Sequence, residues 1–487
     1  MRSEIINPKF RAEFGTRTRC GARLPILFGA ALIAVALSVP SMGIAGDLET
    51  EPGPAQATPA GPFVAPDGSA APNPGASEPW SVYGQATNVT QWHPAFRAAY
   101  SGPNSLDAAS QSEETSDVTA FVGLRLWRGG EFWLNPEIDE GFGLSNTLGV
   151  AGFPSGEAYK VGADRPYFRM ARAFFRQVFN LDGTPVDVAA APNQFADVQS
   201  SNNVTVTLGK FSVVDIFDTN AYAHDPRADF MNWAVIDAGA FDYAADSWGY
   251  TLGGAVEWTQ SSWTLRGGWV ALSEIPNGKA LDTDFDQYAL IGEFEQRYEW
   301  SQHPGKVKLL VFDNRGYMGS YADALSLAQQ TASTPDVSRV TRFASRPGLA
   351  FNLEQELSPQ LGFFLRASVN NGTEQAFDFS DIDQSLSAGF ALHGDRWKRP
   401  NDVVGIAAAI NGLSGAARDY FAAGGLGILI GDGRLNYAPE KIAEIYYSTY
   451  LSAHFSASLD FQYVVDPAYN TDRGPVSIVG LRVHCNF

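Results

Sequence analysis

The chain is 487 residues long and acidic, with 34 Lys and Arg against 53 Asp and Glu and a formal net charge of −19. That balance excludes nucleic acid or an acidic lipid surface as a principal partner. Its two cysteines, Cys20 and Cys485, offer no thiolate metal site, and its six histidines are scattered without ligand spacing.

Taken in order, residues 1–45 read as a secretory signal peptide. Arg2, Lys9, Arg11, Arg17, Arg19 and Arg23 form a basic lead, Leu24 to Val39 is an apolar run, and Gly43-Ile44-Ala45 supplies small residues before a cut ahead of Gly46. The run is shorter than the ~20 apolar residues of a spanning helix. Removal of this segment takes six of the basic and two of the acidic residues, leaving 28 against 51, a charge of −23. Only Cys485 then remains, so no intrachain disulfide is possible. Residues 46–79, rich in Pro, Ala and Gly, cannot build a core and read as a disordered periplasmic leader.

From Trp80 to Phe487 the pattern is all-β. Sixteen strands are predicted, at 81–91, 117–128, 131–140, 167–178, 203–213, 247–258, 261–273, 286–298, 305–315, 347–357, 360–370, 383–394, 402–411, 441–451, 454–466 and 474–487. Most have about the 9–11 residues that let a tilted strand cross a bilayer. No stretch after residue 45 is apolar and long enough for a spanning helix, so a membrane form of this chain has to be a closed barrel.

The connections carry more information than the strands. Alternate ones are short, among them Arg128-Gly129-Gly130, Thr259-Gln260, Ser358-Pro359 and Ser452-Ala453. The intervening ones are long: 92–116, 141–166, 214–246, 274–285, 316–346, 371–382, 412–440 and 467–473. Short turns on one rim and long loops on the other are the mark of an outer-membrane barrel, and a sandwich has no reason to obey that parity. One connection breaks it: 179–202 would be a long periplasmic turn. Sixteen strands would enclose an aqueous channel.

Side-chain alternation assigns the two faces of the wall. The third strand places Trp133, Asn135, Glu137 and Asp139 on its wet face. The fourth carries Arg169, Arg172 and Arg176; Arg172 and Arg176 share a face, and Arg169 joins them only if a bulge lies near Met170-Ala171. Without that bulge an arginine would face lipid at a cost of about 2–4 kcal/mol; the alternative is that Arg169 sits in the interface. Arg266, Glu293, Glu295, Arg297, Lys308, Glu354, Glu356, Arg366, Glu444 and Arg482 are further lumen candidates. Opposed rows of Arg and Glu suit polyhydroxy solutes, whose hydroxyls donate to carboxylates and accept from guanidinium groups. The same charges would also serve simply to solvate a water-filled interior.

The last two strands show the pattern clearly. Phe455, Ala457, Leu459, Phe461, Tyr463 and Val465 alternate with Ser456, Ser458, Asp460, Gln462, Val464 and Asp466. In the final strand Ser477, Val479, Leu481, Val483, Cys485 and Phe487 alternate with Val476, Ile478, Gly480, Arg482, His484 and Asn486. A terminal aromatic strand that pairs with the first leaves no edge unsatisfied in lipid.

The stretch from Leu126-Trp127-Arg128-Gly129-Gly130-Glu131 through Asn135-Pro136-Glu137 resembles the carbohydrate-selective porins of the OprB type. So do Gly141-Phe142-Gly143-Leu144-Ser145-Asn146-Thr147-Leu148-Gly149-Val150-Ala151-Gly152-Phe153-Pro154, Gly156-Glu157-Ala158-Tyr159-Lys160 and Pro166-Tyr167-Phe168-Arg169. Phe96 with Tyr100-Ser101-Gly102-Pro103-Asn104-Ser105-Leu106 near the start, and Asp466-Pro467-Ala468-Tyr469-Asn470 with Asp472-Arg473-Gly474-Pro475-Val476 near the end, frame the match. The resemblance implies a transmembrane antiparallel β-barrel of sixteen strands over 80–487, in the outer membrane of a Gram-negative bacterium. It also implies passive passage of glucose and other sugars through a constriction of arginines and acids. Carried over, the arginines are Arg169, Arg172 and Arg176 and the leading acid is Glu137; strand alternation adds Asn135, Asp139, Arg366 and Arg482 as candidate pore-lining residues.

Expected partners are small sugars, outer-membrane lipid and lipopolysaccharide, and the barrel-assembly machinery through the strand ending in Phe487, with a monomeric or weakly trimeric state. No cofactor is expected; the acidic loops Asp282-Thr283-Asp284-Phe285-Asp286 and Asp378 to Asp383 are candidates for loop Ca²⁺, with solvated loop charge as the alternative. A general diffusion porin and a polysaccharide exporter are rival barrels. A secreted glycoside hydrolase would use a pair such as Glu137 and Asp139, but no Gly-x-Ser-x-Gly or phosphate-cradling loop accompanies it.

Overall fold

The computed structural model describes residues 78–158 and 162–487. The expected signal peptide, residues 46–77 of the leader, and Tyr159 to Val161 lie outside the described residues.

The wall is built from β1 (Trp80–His93), β2 (Gln111–Trp127), β3 (Gly130–Gly141) and β4 (Ala163–Asn180). After a periplasmic hairpin, β5 (Pro185–Val188) and β6 (Asp197–Ser200), it resumes with β7 (Asn203–Phe211), β8 (Thr251–Gln260), β9 (Trp263–Ala271) and β10 (Tyr288–Trp300). It continues with β11 (His303–Gly319), β12 (Thr341–Ser358), β13 (Leu361–Asn370) and β14 (Gln384–Gly394). β15 (Arg399–Gly412), β16 (Glu440–Ser452), β17 (Phe455–Val465) and β18 (Val476–Asn486) complete it. Sixteen of these form one closed antiparallel barrel, while β5 and β6 pair only with each other. Every predicted strand is present. Half run longer than expected and several run shorter; β12 begins at Thr341 rather than 347 because it pairs with β11 as far as Gly319↔Thr341.

Closure is antiparallel, from Gln85↔Asn486 to Trp92↔Val479. Gly84 and Phe487 extend it by exchanging backbone hydrogen bonds of 2.6 and 2.9 Å. The Phe487 ring lies over Gly84, where a Cβ would meet ring carbon at 2.3 Å. The barrel thus has no free edge.

Alternation sorts the two faces. Leu265, Leu290, Leu309, Leu386, Ile406, Leu459 and Leu481 are exposed on the outside, where the hydrocarbon belongs. Trp80, Trp127, Trp258 and Trp300 stand exposed at the periplasmic rim, and Trp92, Trp269 and Tyr317 towards the other, as interfacial aromatic girdles do. Among the described residues no helix is long and apolar enough to cross a membrane; the strands cross it.

The interior is not open water throughout. Residues 142–158 and 212–250 turn inward and pack against the inner wall. The second segment carries the one-turn helix α1 (Trp233–Ile236), N-capped by Asn232, whose side chain accepts from the Ala234 N–H. Phe217, Phe230, Trp233, Val235 and Phe241 from this segment form one buried apolar core with Phe153 and the wall residues Phe312, Phe364, Ile442 and Tyr446. Tyr222 lies flat on Gly362 of β13, where any Cβ would fall 2.0 Å from its ring. Outside, α2 (Tyr321–Thr331) and α3 (Gly415–Ala422) cap the loops, started by Ser320 and Ser414 accepting from the Asp323 and Ala417 N–H groups. They meet through Tyr321, Tyr420 and Phe421.

Candidate functional site

Much of the inner wall's charge holds the inward segments in place. Arg482 donates to the carbonyls of Pro226, Ala228 and Asp229 at 2.6–2.8 Å. Arg366 donates to the carbonyls of Val235 and Asp218 and to the Asp218 carboxylate. Glu444 accepts from the Met231 and Asn232 N–H groups, Glu354 from Ala221 and Glu293 from Asp218. Glu440 accepts from Ala151 and Gly152. Arg366 and Arg482 are each 1% exposed. Both point inward as alternation requires, but they are sealed beneath the 212–250 segment and do not meet a solute. A buried guanidinium is tolerated there because backbone carbonyls take up its donors.

A second group of charges lies on β3, β4 and the segments facing them. In β4 the register slips so that Asn135 pairs with Arg172 while the next residue, Pro136, pairs with Met170. Ala171 is the bulged residue, at the site expected, and the extra residue brings Arg169 onto the same face as Arg172. Arg169 forms ion pairs with Glu137 and Asp139, and Thr119 donates to Glu137 at 2.6 Å. Arg172 makes a two-pronged pair with Asp215, Nε to Oδ2 at 2.7 Å and Nη2 to Oδ1 at 2.5 Å. Asp215 is held in turn by a capping box on the 3₁₀ turn Val213–Asp215, where it accepts from the Ser212 N–H.

Between the two arginines lies the ring of Tyr250. The Arg169 and Arg172 guanidinium carbons stand 4.8 and 5.0 Å from its centre, within cation–π range. Burial, reinforced by the Glu137 carboxylate, pushes the Tyr250 hydroxyl up to about 12. Lys210 donates to Asp246 at 2.9 Å, and the Trp248 indole donates to the Tyr167 hydroxyl at 3.0 Å. Across from β2, Arg227 of the inward segment pairs with Glu157 at 3.1 Å and Asp117 at 3.6 Å. Arg172 and Asp215 keep 15% and 31% of their side-chain surface accessible, whereas Glu137 and Asp139 are buried beneath Arg169.

Of the expected site residues, Glu137, Asp139, Arg169 and Arg172 are therefore brought together. Arg176 lies one step towards the periplasm, bound to Glu131 at 2.6 Å and the Asn193 carbonyl at 2.5 Å. Asn135 is buried and donates to the Asn193 side chain at 2.9 Å. Asp215, Arg227, Asp246, Trp248 and Tyr250 were not among the candidates. Asp215, Arg227 and Asp246 come from the 214–246 connection, where no strand period assigns a face, while Trp248 and Tyr250 fall in the strand expected at 247–258, which begins only at Thr251; the dense aromatic and acidic run Phe241-Asp242-Tyr243 to Trp248-Gly249-Tyr250 was the signal available. The connection 141–166 also enters the lumen, its Pro154 carbonyl accepting from Gln91 and Gln462.

Among the described residues no group of three or more His, Cys, Asp or Glu side chains is arranged to hold a metal ion. The two acidic loops put their carboxylates to other uses. Asp282 accepts from the N–H groups of Asp284 and Gln287, Asp381 from Leu429 and Ile430, and Asp383 pairs with buried Arg346.

The chain is similar in structure to OprB of Pseudomonas putida, with a TM-score of 0.65 at 14% identity over 84% of this chain and 94% of that one. It is also similar to the outer-membrane channel DcaP of Acinetobacter baumannii, with a TM-score of 0.45 at 11% identity over 84% and 97%. No curated protein matches it in sequence. The likeness to the Pseudomonas putida protein shows a shared fold. The family model described as the carbohydrate-selective porin, OprB family, matches residues 104–487, from the first long loop to the closing strand, and the chain therefore belongs to that family of sugar-selective outer-membrane channels.

Proposed function

We propose that this barrel lets glucose and other small sugars diffuse passively across the outer membrane through an eyelet made by Arg169, Arg172 and Asp215, with the buried Tyr250 ring and the Glu137–Asp139 pair behind them. The observation that carries this reading is the Arg172–Asp215 pair, which keeps 15% and 31% of its side-chain surface accessible with Arg169 beside it. A sugar ring offers a belt of hydroxyls that both donate and accept. The arginine donors and the Asp215 oxygens suit them, and the buried Tyr250 ring braces the two guanidinium groups. Binding is weak and transport rapid when such a site is neither deep nor dry, and the exposure of the Arg172–Asp215 pair meets that condition. Fold and family are those of channels rather than enzymes. Insertion through the strand ending in Phe487, as a monomer or weak trimer, belongs to the same proposal.

Single-channel recording in planar bilayers tests it. Glucose should reduce the conductance of the native channel in a saturable way, and Arg172→Ala should weaken that block about tenfold, the loss of one charge-assisted hydrogen bond. Conductance that sugar does not touch would leave a general diffusion pore of low selectivity.

A further inference from the structure

The one connection that breaks the parity of turns, residues 181–202, does not hang free below the barrel. Its legs, β5 and β6, form a separate two-stranded ladder, Pro185↔Ser200 to Val188↔Asp197. The stretch joining them turns back into the periplasmic mouth. Phe195 is 2% exposed and lies in a pocket of Phe121, Trp133 and Phe174, all on the inner face. Its ring centre is 5.0 Å from that of Trp133, and the Arg125 guanidinium stands 4.7 Å from its centre. Arg125 also donates to the Ala196 carbonyl at 2.8 Å and pairs with Asp197 at 3.7 Å. Asn193 is gripped from both ends, its carbonyl by Arg176 and its side chain by Asn135.

These contacts fix a height. Asn135 is the register partner of Arg172, so the Asn193 that it binds lies just beneath the eyelet. The other periplasmic turns of the barrel close in a few residues and place nothing inside. The aromatic pocket and the ion pairs make this insert a fixed part of the wall, with no hinge implied.

We propose that residues 189–196 form a second filter in series with the eyelet, narrowing the exit to the periplasm and setting how strongly larger saccharides lag behind smaller ones. The inference rests on the sugar-channel reading above. In it Arg125, Arg176 and Asn135 are positioning residues for the insert, so Arg176 is not a sugar ligand although it shares a strand face with Arg172.

Val188 and Asp197 are ladder partners, so residues 189–196 can be replaced by a two-residue Asn-Gly turn without disturbing the hairpin. In planar bilayers the shortened channel should conduct about twofold more, as when one of two comparable constrictions in series is removed. In liposome swelling, the rate for a trisaccharide relative to glucose should rise. Unchanged conductance and an unchanged ratio, from protein that still shows a heat-dependent shift in gel mobility, would overturn the filter. A second variant covers failure to fold: Gln194→Cys in a Cys485→Ser background, reacted with a bulky membrane-impermeant thiol reagent. Labelling confirmed by mass should lower the conductance; labelled channels with native conductance would again overturn the proposal. The glucose block, measured in parallel, reports on the eyelet alone. Its absence from the native channel would sink the sugar reading, while the change in conductance would still judge the filter.

Discussion

At the scale of single residues, the same side-chain type serves two ends in this lumen, and burial separates them. Arg172 keeps water on one side and is fit to meet a solute. Arg366 and Arg482 are shut away and act as anchors for backbone carbonyls. Arg366→Leu would take the counter-charge from the buried Asp218 carboxylate and this donor from the Val235 carbonyl; removal of one partner from a buried pair costs about 3–5 kcal/mol. The temperature at which the barrel loses its compact gel mobility should fall clearly, and Arg366→Leu combined with Asp218→Asn should recover part of the loss. Asp229, which lies in the inward segment beside Arg482, makes a pH prediction. Burial, with the neighbouring Asp225 charge, raises its carboxyl to about 6. The folded state therefore holds a proton that the unfolded chain has already released, and this group's contribution to stability declines as pH rises from about 4 to 6. Thermal unfolding in detergent should show Asp229→Asn gaining on the native protein across that window and holding its advantage above it.

At the scale of elements, strand order, strand number and wall facing were all legible in the sequence, because a period of two and the alternation of turn lengths are imposed by the bilayer itself. The bulge in β4 was legible for the same reason: an arginine on the lipid row demanded an exception. Deletion of Ala171 tests this. With the extra residue gone, Asn135↔Arg172, Pro136↔Met170 and Glu137↔Arg169 become consecutive pairs of a regular ladder, so Arg169 should stay on the lumen face and heat-modifiable barrel should still form; a collapse in yield would place the extra residue elsewhere. Helices α2 and α3 and the inward course of 212–250 were not legible. Their positions depend on contacts with wall residues hundreds of positions away, as between Met231 and Glu444, and no local period records them. Asp215 was missed for that reason and Tyr250 because it was assigned to a strand that begins only at Thr251, while Arg169 and Arg172 were found.

For the whole molecule, a sixteen-stranded wall is wide enough for an open channel, yet much of this one is filled by an apolar core contributed by its own loops. On the function proposed above, solute would pass beside this core, past Arg169, Arg172 and Asp215. Conductance should accordingly be small for the strand number, and replacement of residues 220–240 by a short Gly-Ser link should raise it severalfold in bilayer recordings. Filling the barrel from within also changes what the cell shows to its surroundings. The two segments 142–158 and 212–250 are hidden behind the wall, and the exposed relief is left to stretches such as the end of α2 and the exposed run Thr331–Thr334 there. Proteases, phage and antibodies approaching an intact cell would meet that thin outer relief, and could change it by selection, without reaching the residues that choose the solute.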